Sequence, residues 1–209
     1  MRPVAAMNRQ APRLSVGVFC GARHGAADHV VRTATEFGAA LGARRHRLVY
    51  GGGGSGLMGV VAWAAHRQGS EVVGVIPHFL YERERGIEAP PQHLCLTDTM
   101  GERKQEMISR SDGFVALAGG LGTIDEIFEV LSLGCLGLHD KPLVLLDPAG
   151  LWDNLVALTR EVAGAGFADL VDERALVLVR SVPAALHVLE SRAVSGTPAP
   201  EVLHADAHA

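Results

Sequence analysis

A doubly wound parallel α/β sheet in a single domain is the fold that this sequence predicts, and three observations carry the prediction. Seven short apolar runs recur along the chain, they are near-continuous in Val, Leu and Ile, and helix-length amphipathic stretches separate most of them. Strands covered on both faces read as unbroken apolar runs, whereas a strand with one wet face alternates; parallel neighbours also need a long crossover between them.

The elements follow in order. Leu14–Cys20 reads as a strand that stops at Gly21, and a helix is expected over 28–43. Leu48–Tyr50 is a strand that runs into Gly51-Gly52-Gly53-Gly54-Ser55-Gly56, with a helix over 56–68. Val72–Ile76 is a strand closed by Pro77-His78, and Leu94–Leu96 is the next. A helix over 99–111 carries Met100-Gly101-Glu102-Arg103-Lys104 near its start and leads to the strand Gly113–Leu117. The remaining pairs are a helix over 122–136 with the strand Leu143–Leu146, and a helix over 151–163 with the strand Leu176–Val179; a helix over 183–190 closes the domain. Residues 1–13 and 193–209 lack periodicity and are read as flexible tails around a domain of 14–192. His204 and His208 fall in the second tail and are assigned no role.

Composition excludes several classes. Hydrophobic residues at 48% and charged residues at 20% are those of a folded soluble chain. Nineteen basic against 23 acidic residues give a net charge of −4, without the basic stripe that neutralises a phosphate backbone, so no nucleic-acid partner is expected. No apolar run approaches the ~20 residues of a membrane span, so no membrane partner is expected either. Cys20, Cys95 and Cys135 are odd in number and widely spaced, which fits a reducing cytoplasm rather than a disulfide framework, and no metal site is indicated. Cys20 and Cys135 read as small buried hydrophobes, since no motif pairs either with a histidine.

The outlying numbers are 25 glycines and a basic set with Lys104 and Lys141 as its only lysines. In an open parallel sheet ligands bind beyond the carboxyl ends of the strands, where helix N-termini present free N–H groups. Three strands deliver glycine to that edge: Gly21, the run from Gly51 to Gly59, and Gly119-Gly120-Leu121-Gly122-Thr123. A tight turn explains one or two glycines. Four in a row favour a backbone that wraps a phosphate, although packing remains the other reading. The strand after Gly51-x-Gly53-x-x-Gly56 ends without the acid that holds a ribose diol, which disfavours a dinucleotide, and no GxxxxGK[ST] exists. A mononucleotide or sugar phosphate remains. Gly122 and Thr123 open a helix toward an anion, Asp125 fits a first-turn acid, and Glu126 is the carboxylate with a claim on the crevice.

Together the run Gly51–Gly59, the pair Arg103-Lys104, Gly119-Gly120-x-Gly122-Thr123-x-x-Glu126 and Leu136-Gly137-Leu138-His139-Asp140-Lys141-Pro142 resemble the LOG ("Lonely guy") family, the cytokinin riboside 5′-monophosphate phosphoribohydrolases, over about residues 14–190. The resemblance implies a Rossmann-like fold, a homodimer, no metal or redox cofactor, and hydrolysis of a purine nucleoside 5′-monophosphate to free base and ribose 5-phosphate. It assigns catalysis to Arg103 and Glu126. It places Glu84, Lys104, Gly52, Gly53 and the run Gly119, Gly120, Leu121, Gly122, Thr123, Ile124, Asp125 around the substrate. Two departures stand out: Ala118 replaces the proline before the glycine loop, and Ala22-Arg23 replaces a pair of serines. A non-catalytic carrier of a nucleotide or molybdenum cofactor is the alternative. A lysine decarboxylase would need a Schiff-base lysine, for which only Lys104 and Lys141 are available.

Overall fold

Each apolar run finds a parallel neighbour. The computed structural model describes residues 13–168 and 176–195. Its strands are β1 (Ser15–Phe19), β2 (Arg47–Tyr50), β3 (Val72–Pro77), β4 (His93–Thr97), β5 (Gly113–Ala116), β6 (Leu143–Leu146) and β7 (Leu176–Val179). Its helices are α1 (Asp28–Ala43), α2 (Gly56–Arg67), α3 (His78–Arg83), α4 (Met100–Ser109), α5 (Leu121–Cys135), α6 (Asp153–Gly164) and α7 (Val182–Ser195). All strand pairs are parallel, in the order β4-β3-β2-β1-β5-β6-β7.

The expected single α/β domain is therefore the observed one, with two differences. Helix α3 was not expected: its six residues, His78–Arg83, contain none that is buried, so no apolar periodicity announces it. Helix α7 runs to Ser195 rather than 190, past the start of the expected tail. Apart from Arg13 and the end of α7, both tails lie outside the described residues.

Two cores explain why the strands are apolar throughout. Side chains alternate across a strand, and Val16, Val18, Leu48 and Tyr50 pack with Phe37, Leu41, Leu186 and Leu189 from α1 and α7. Their neighbours Phe19, Val49, Phe114 and Leu145 pack with Met107, Ile127 and Trp152 on the opposite face. Phe19 stacks on Phe114 with ring centroids 5.5 Å apart. Along the central strands β1, β2 and β5 both faces are dry, so neither alternate position tolerates a polar residue, whereas the edge strand β4 leaves Leu94 and Leu96 exposed.

The order of strands places the site. From β1 the chain moves one way through β2, β3 and β4; it then crosses back on α4 to β5, on the other side of β1. The strand order reverses between β1 and β5, and a crevice opens beyond their carboxyl ends.

Candidate active site

That crevice is a cavity of about 1090 Å³, walled by the segments that follow β1, β2, β3, β5 and β6. Its floor holds a buried ion pair. Helix α4 starts at Thr99, whose hydroxyl accepts from the Glu102 amide at 3.1 Å, and this cap fixes the turn that carries Arg103. Arg103 reaches beneath the end of β3, where its Nε donates to the Val75 carbonyl at 3.2 Å. Its Nη1 stands 3.1 Å from Glu126 Oε1, and the two side chains are only 10% and 7% exposed. Any side chain at Gly51 would strike the Arg103 guanidinium, so glycine there makes room for the pair.

Burial pushes the Glu126 carboxyl up to about 7, against the pull of Arg103, which lowers it. A group that titrates near neutrality in a cavity is suited to chemistry. Cys20 lines the same floor, and burial raises its thiol, leaving it protonated and unreactive.

Above the pair, α5 begins without a cap. Its N-cap Gly120 is extended and supplies no side-chain bond. The first intrahelical bond runs from the Ile124 amide to the Gly120 carbonyl at 3.1 Å, so the amides of Leu121, Gly122 and Thr123 precede it. A Cβ at Gly120 or Gly122 would meet nothing within 4 Å, whereas one at Gly119 would collide with Thr123. Gly119 thus serves packing, and the other two leave the helix end open to the cavity. Open amides and the positive end of the helix dipole form an anion site.

The four-glycine run does something else. Glu84, just after α3, turns its carboxylate back onto it: the Gly54 amide donates to Oε2 at 3.0 Å and the Ser55 hydroxyl to Oε1 at 3.3 Å. Gly52, at φ +76°, lies against Ile76, and a Cβ at Gly53 would sit 2.7 Å from the Glu84 carboxylate. Gln92 Nε2 closes the arrangement with a bond to the Gly52 carbonyl at 3.3 Å. Of this run only Gly51 lines the cavity, while Gly52 and Gly53 stand behind its wall.

The structure thus brings Glu84, Arg103, Gly119, Gly120, Leu121, Gly122, Thr123 and Glu126 together around one space. It does not bring Lys104, Ile124 or Asp125 there, because each residue of a helix is turned ~100° from its neighbour. Lys104 turns toward α5 instead and pairs with Asp125 at 3.1 Å and Glu129 at 3.0 Å. Lys141 donates to the Ile108 carbonyl at 2.7 Å. Neither lysine lines the cavity, so the residues present do not fit Schiff-base chemistry there. Among the described residues no cluster of three or more His, Cys, Asp or Glu is placed to hold a metal.

Sequence reasoning missed the wall after β6, Asp147 to Leu151. Asp147 is buried, yet hydrogen bonds hold its carboxyl below the usual range: Oδ1 accepts from the Ala149 and Gly150 amides and Oδ2 from the Trp152 amide. Arg180 Nη1 adds a contact at 3.2 Å. With its oxygens so occupied, Asp147 shapes the loop. The signal was present, since Asp-Pro-x-Gly follows a strand at the same sheet edge.

The chain is similar to several known proteins. A family model described as "Possible lysine decarboxylase" matches residues 58–189. The cytokinin riboside 5′-monophosphate phosphoribohydrolase of Mycobacterium tuberculosis is 43% identical over 172 residues, covering 82% of this chain and 91% of that protein. A probable enzyme of the same name from Oryza sativa is 43% identical over 152 residues, 73% of this chain and 62% of its own length. In fold alone, the Moco carrier protein of Chlamydomonas reinhardtii is similar, with a TM-score of 0.67 at 20% identity, covering 88% of this chain and 100% of that one. By the extent of its identity to these relatives and by the motif residues gathered at one cavity, the chain belongs to the LOG family.

Proposed function

We propose that the chain hydrolyses the N-glycosidic bond of purine nucleoside 5′-monophosphates, adenosine or cytokinin-type, to free base and ribose 5-phosphate. The observation that carries the proposal is the buried Arg103–Glu126 pair below an uncapped helix end. Relatives about 40% identical over most of this chain bear the name of that activity, which supports the same reading.

The chemistry follows from the charges. Cleavage breaks the C1′–N bond, its electron pair leaves with the base, and positive charge builds on the ribose ring. Water then adds its oxygen to C1′, and the balance of one proton goes to the departing base. The open amides of α5 would hold the 5′-phosphate and so fix the sugar above the floor. Glu126, ionised, would stabilise the ring charge or orient the water. Arg103 favours the ionised form against the opposing effect of burial and holds the carboxylate in place, a preorganisation that costs nothing at the moment of reaction.

The same reading includes a homodimer and a cytoplasmic site of action. Phe128 at 39%, Leu136 at 70% and Leu138 at 61% exposure leave the outer side and C-terminal end of α5 apolar, as a covered surface requires. The three cysteines are free, as expected in a reducing compartment. No described helix is long and apolar enough to cross a membrane.

The test is incubation with AMP and with N6-isopentenyl AMP, resolving base from nucleotide by chromatography, alongside Glu126→Gln. Free base is expected from the wild type, and Glu126→Gln should lose on the order of 10²–10³ in kcat. Near-wild-type turnover of a folded Glu126→Gln would remove that residue from the mechanism. Nucleotide bound and recovered intact would favour the carrier instead.

A further inference from the structure

We propose that Arg23 is the cation that reads the phosphate of the substrate, and that it sets the preference for a nucleotide over an uncharged nucleoside. The proposal rests on the phosphoribohydrolase reading of the same cavity.

Among the described residues a phosphate dianion entering this cavity meets three carboxylates, Glu84, Glu126 and Asp147. A helix end supplies only about half an elementary charge against them, so a full positive charge is needed nearby. Among the described residues three basic side chains line the space: Arg23, His29 and Arg103. Arg103 is engaged by Glu126 and the Val75 carbonyl. His29 offers an imidazole rather than a permanent charge. Lys104, the cation beside Arg103 in sequence, is occupied by two acids of α5 and does not line the cavity. Arg23 is exposed, lines the cavity, and makes no side-chain hydrogen bond or ion pair among the described residues.

Its place in the chain puts that charge beside the open amides. The Gly21 amide donates to the Ala118 carbonyl at 3.0 Å, and a Cβ at Gly21 would lie 3.5 Å from Gly119 Cα. The loop that follows β1 therefore abuts the loop that opens α5, and Arg23 comes two residues after that junction. The guanidinium fork pairs two parallel N–H groups with phosphate oxygens, a match that neither a serine nor a helix dipole reproduces. Residues 22 to 26 are all exposed and none of them is acidic, so the loop itself offers this guanidinium no counter-ion.

The experiment uses the full chain, Arg23→Gln and Arg23→Lys. AMP and adenosine are compared as substrates, and ribose 5-phosphate binding is followed by titration calorimetry. Arg23→Gln should raise KM for AMP about tenfold with kcat nearly unchanged, as loss of a charge-assisted hydrogen bond predicts. Ribose 5-phosphate affinity should fall by the same factor and adenosine kinetics should not move. Arg23→Lys should recover part of the loss. Unaltered KM and ribose 5-phosphate affinity in a folded Arg23→Gln would overturn the proposal while the enzyme reading stands. Arg23-dependent binding of ribose 5-phosphate without release of base from AMP would uphold the phosphate contact and overturn the reaction.

Discussion

Glu126 couples the protonation of the site to the stability of the chain. In the unfolded chain the group ionises at its ordinary value of 4.5, but in the folded protein it holds its proton to about 7. Between those values the folded state binds more protons, so stability due to Glu126 is complete below pH 4.5 and is lost as pH rises through 7. The melting temperature of the wild type should fall across that interval relative to Glu126→Gln; parallel curves for the two chains would contradict this account. Catalysis has the opposite slope if the ionised carboxylate is the working form, with turnover rising through pH 7. Arg103→Gln removes a charge that favours ionisation, so its residual activity should rise at higher pH than the wild type's. The sequence made these two residues legible because each belongs to a motif at a strand or helix end. It did not show that Lys104 turns toward Asp125 and Glu129, because adjacency along a chain says nothing about rotation around a helix, nor that Gly51 alone of the four glycines lines the cavity. Nor does a glycine count disclose that the anion held by Gly54 is the chain's own Glu84.

At the scale of elements, α2 and α5 both begin after glycine-rich loops, yet only α5 is open. The amide of Leu57 at the start of α2 is already bonded to the Gly21 carbonyl at 3.0 Å, and a Cβ at Gly59 would run into the Gly54 carbonyl. Gly59→Ala should therefore cost about 2 kcal/mol through overpacking. In a protein of this size that lowers the melting temperature by roughly 4–8 °C. Gly122→Ala meets nothing and gains helix propensity, so its melting temperature should hold or rise. Its KM for AMP should rise on the order of tenfold, because the added methyl group bars close approach to the amides. Calorimetry and kinetics on the two variants separate a packing glycine from a binding one. Such a distinction depends on what lies opposite each Cβ, which a motif cannot encode. Most elements were legible from a run or period of apolar residues, including β4, which buries none of them, whereas the six residues of α3 carry no such pattern.

For the whole molecule, the exposed apolar side chains Phe128, Leu136 and Leu138 lead to the expectation of a dimer by light scattering. Phe128→Asp should shift that equilibrium toward monomer without lowering far-ultraviolet ellipticity; a wild type that is monomeric at working concentration would exclude the dimer. The parallel sheet itself could be read from seven apolar runs, since two buried faces leave no polar alternation. Their spatial order could not, because β1 joins β5 across nearly a hundred residues and only packing decides it. That order has a practical consequence. The cavity wall is assembled from residues between Cys20 and Leu151, drawn from the ends of five strands, and no shorter stretch encloses it. Turnover and ellipticity should therefore disappear along a single curve in urea, with coincident midpoints, and the rate of base release would serve as a gauge of how much of the chain remains intact.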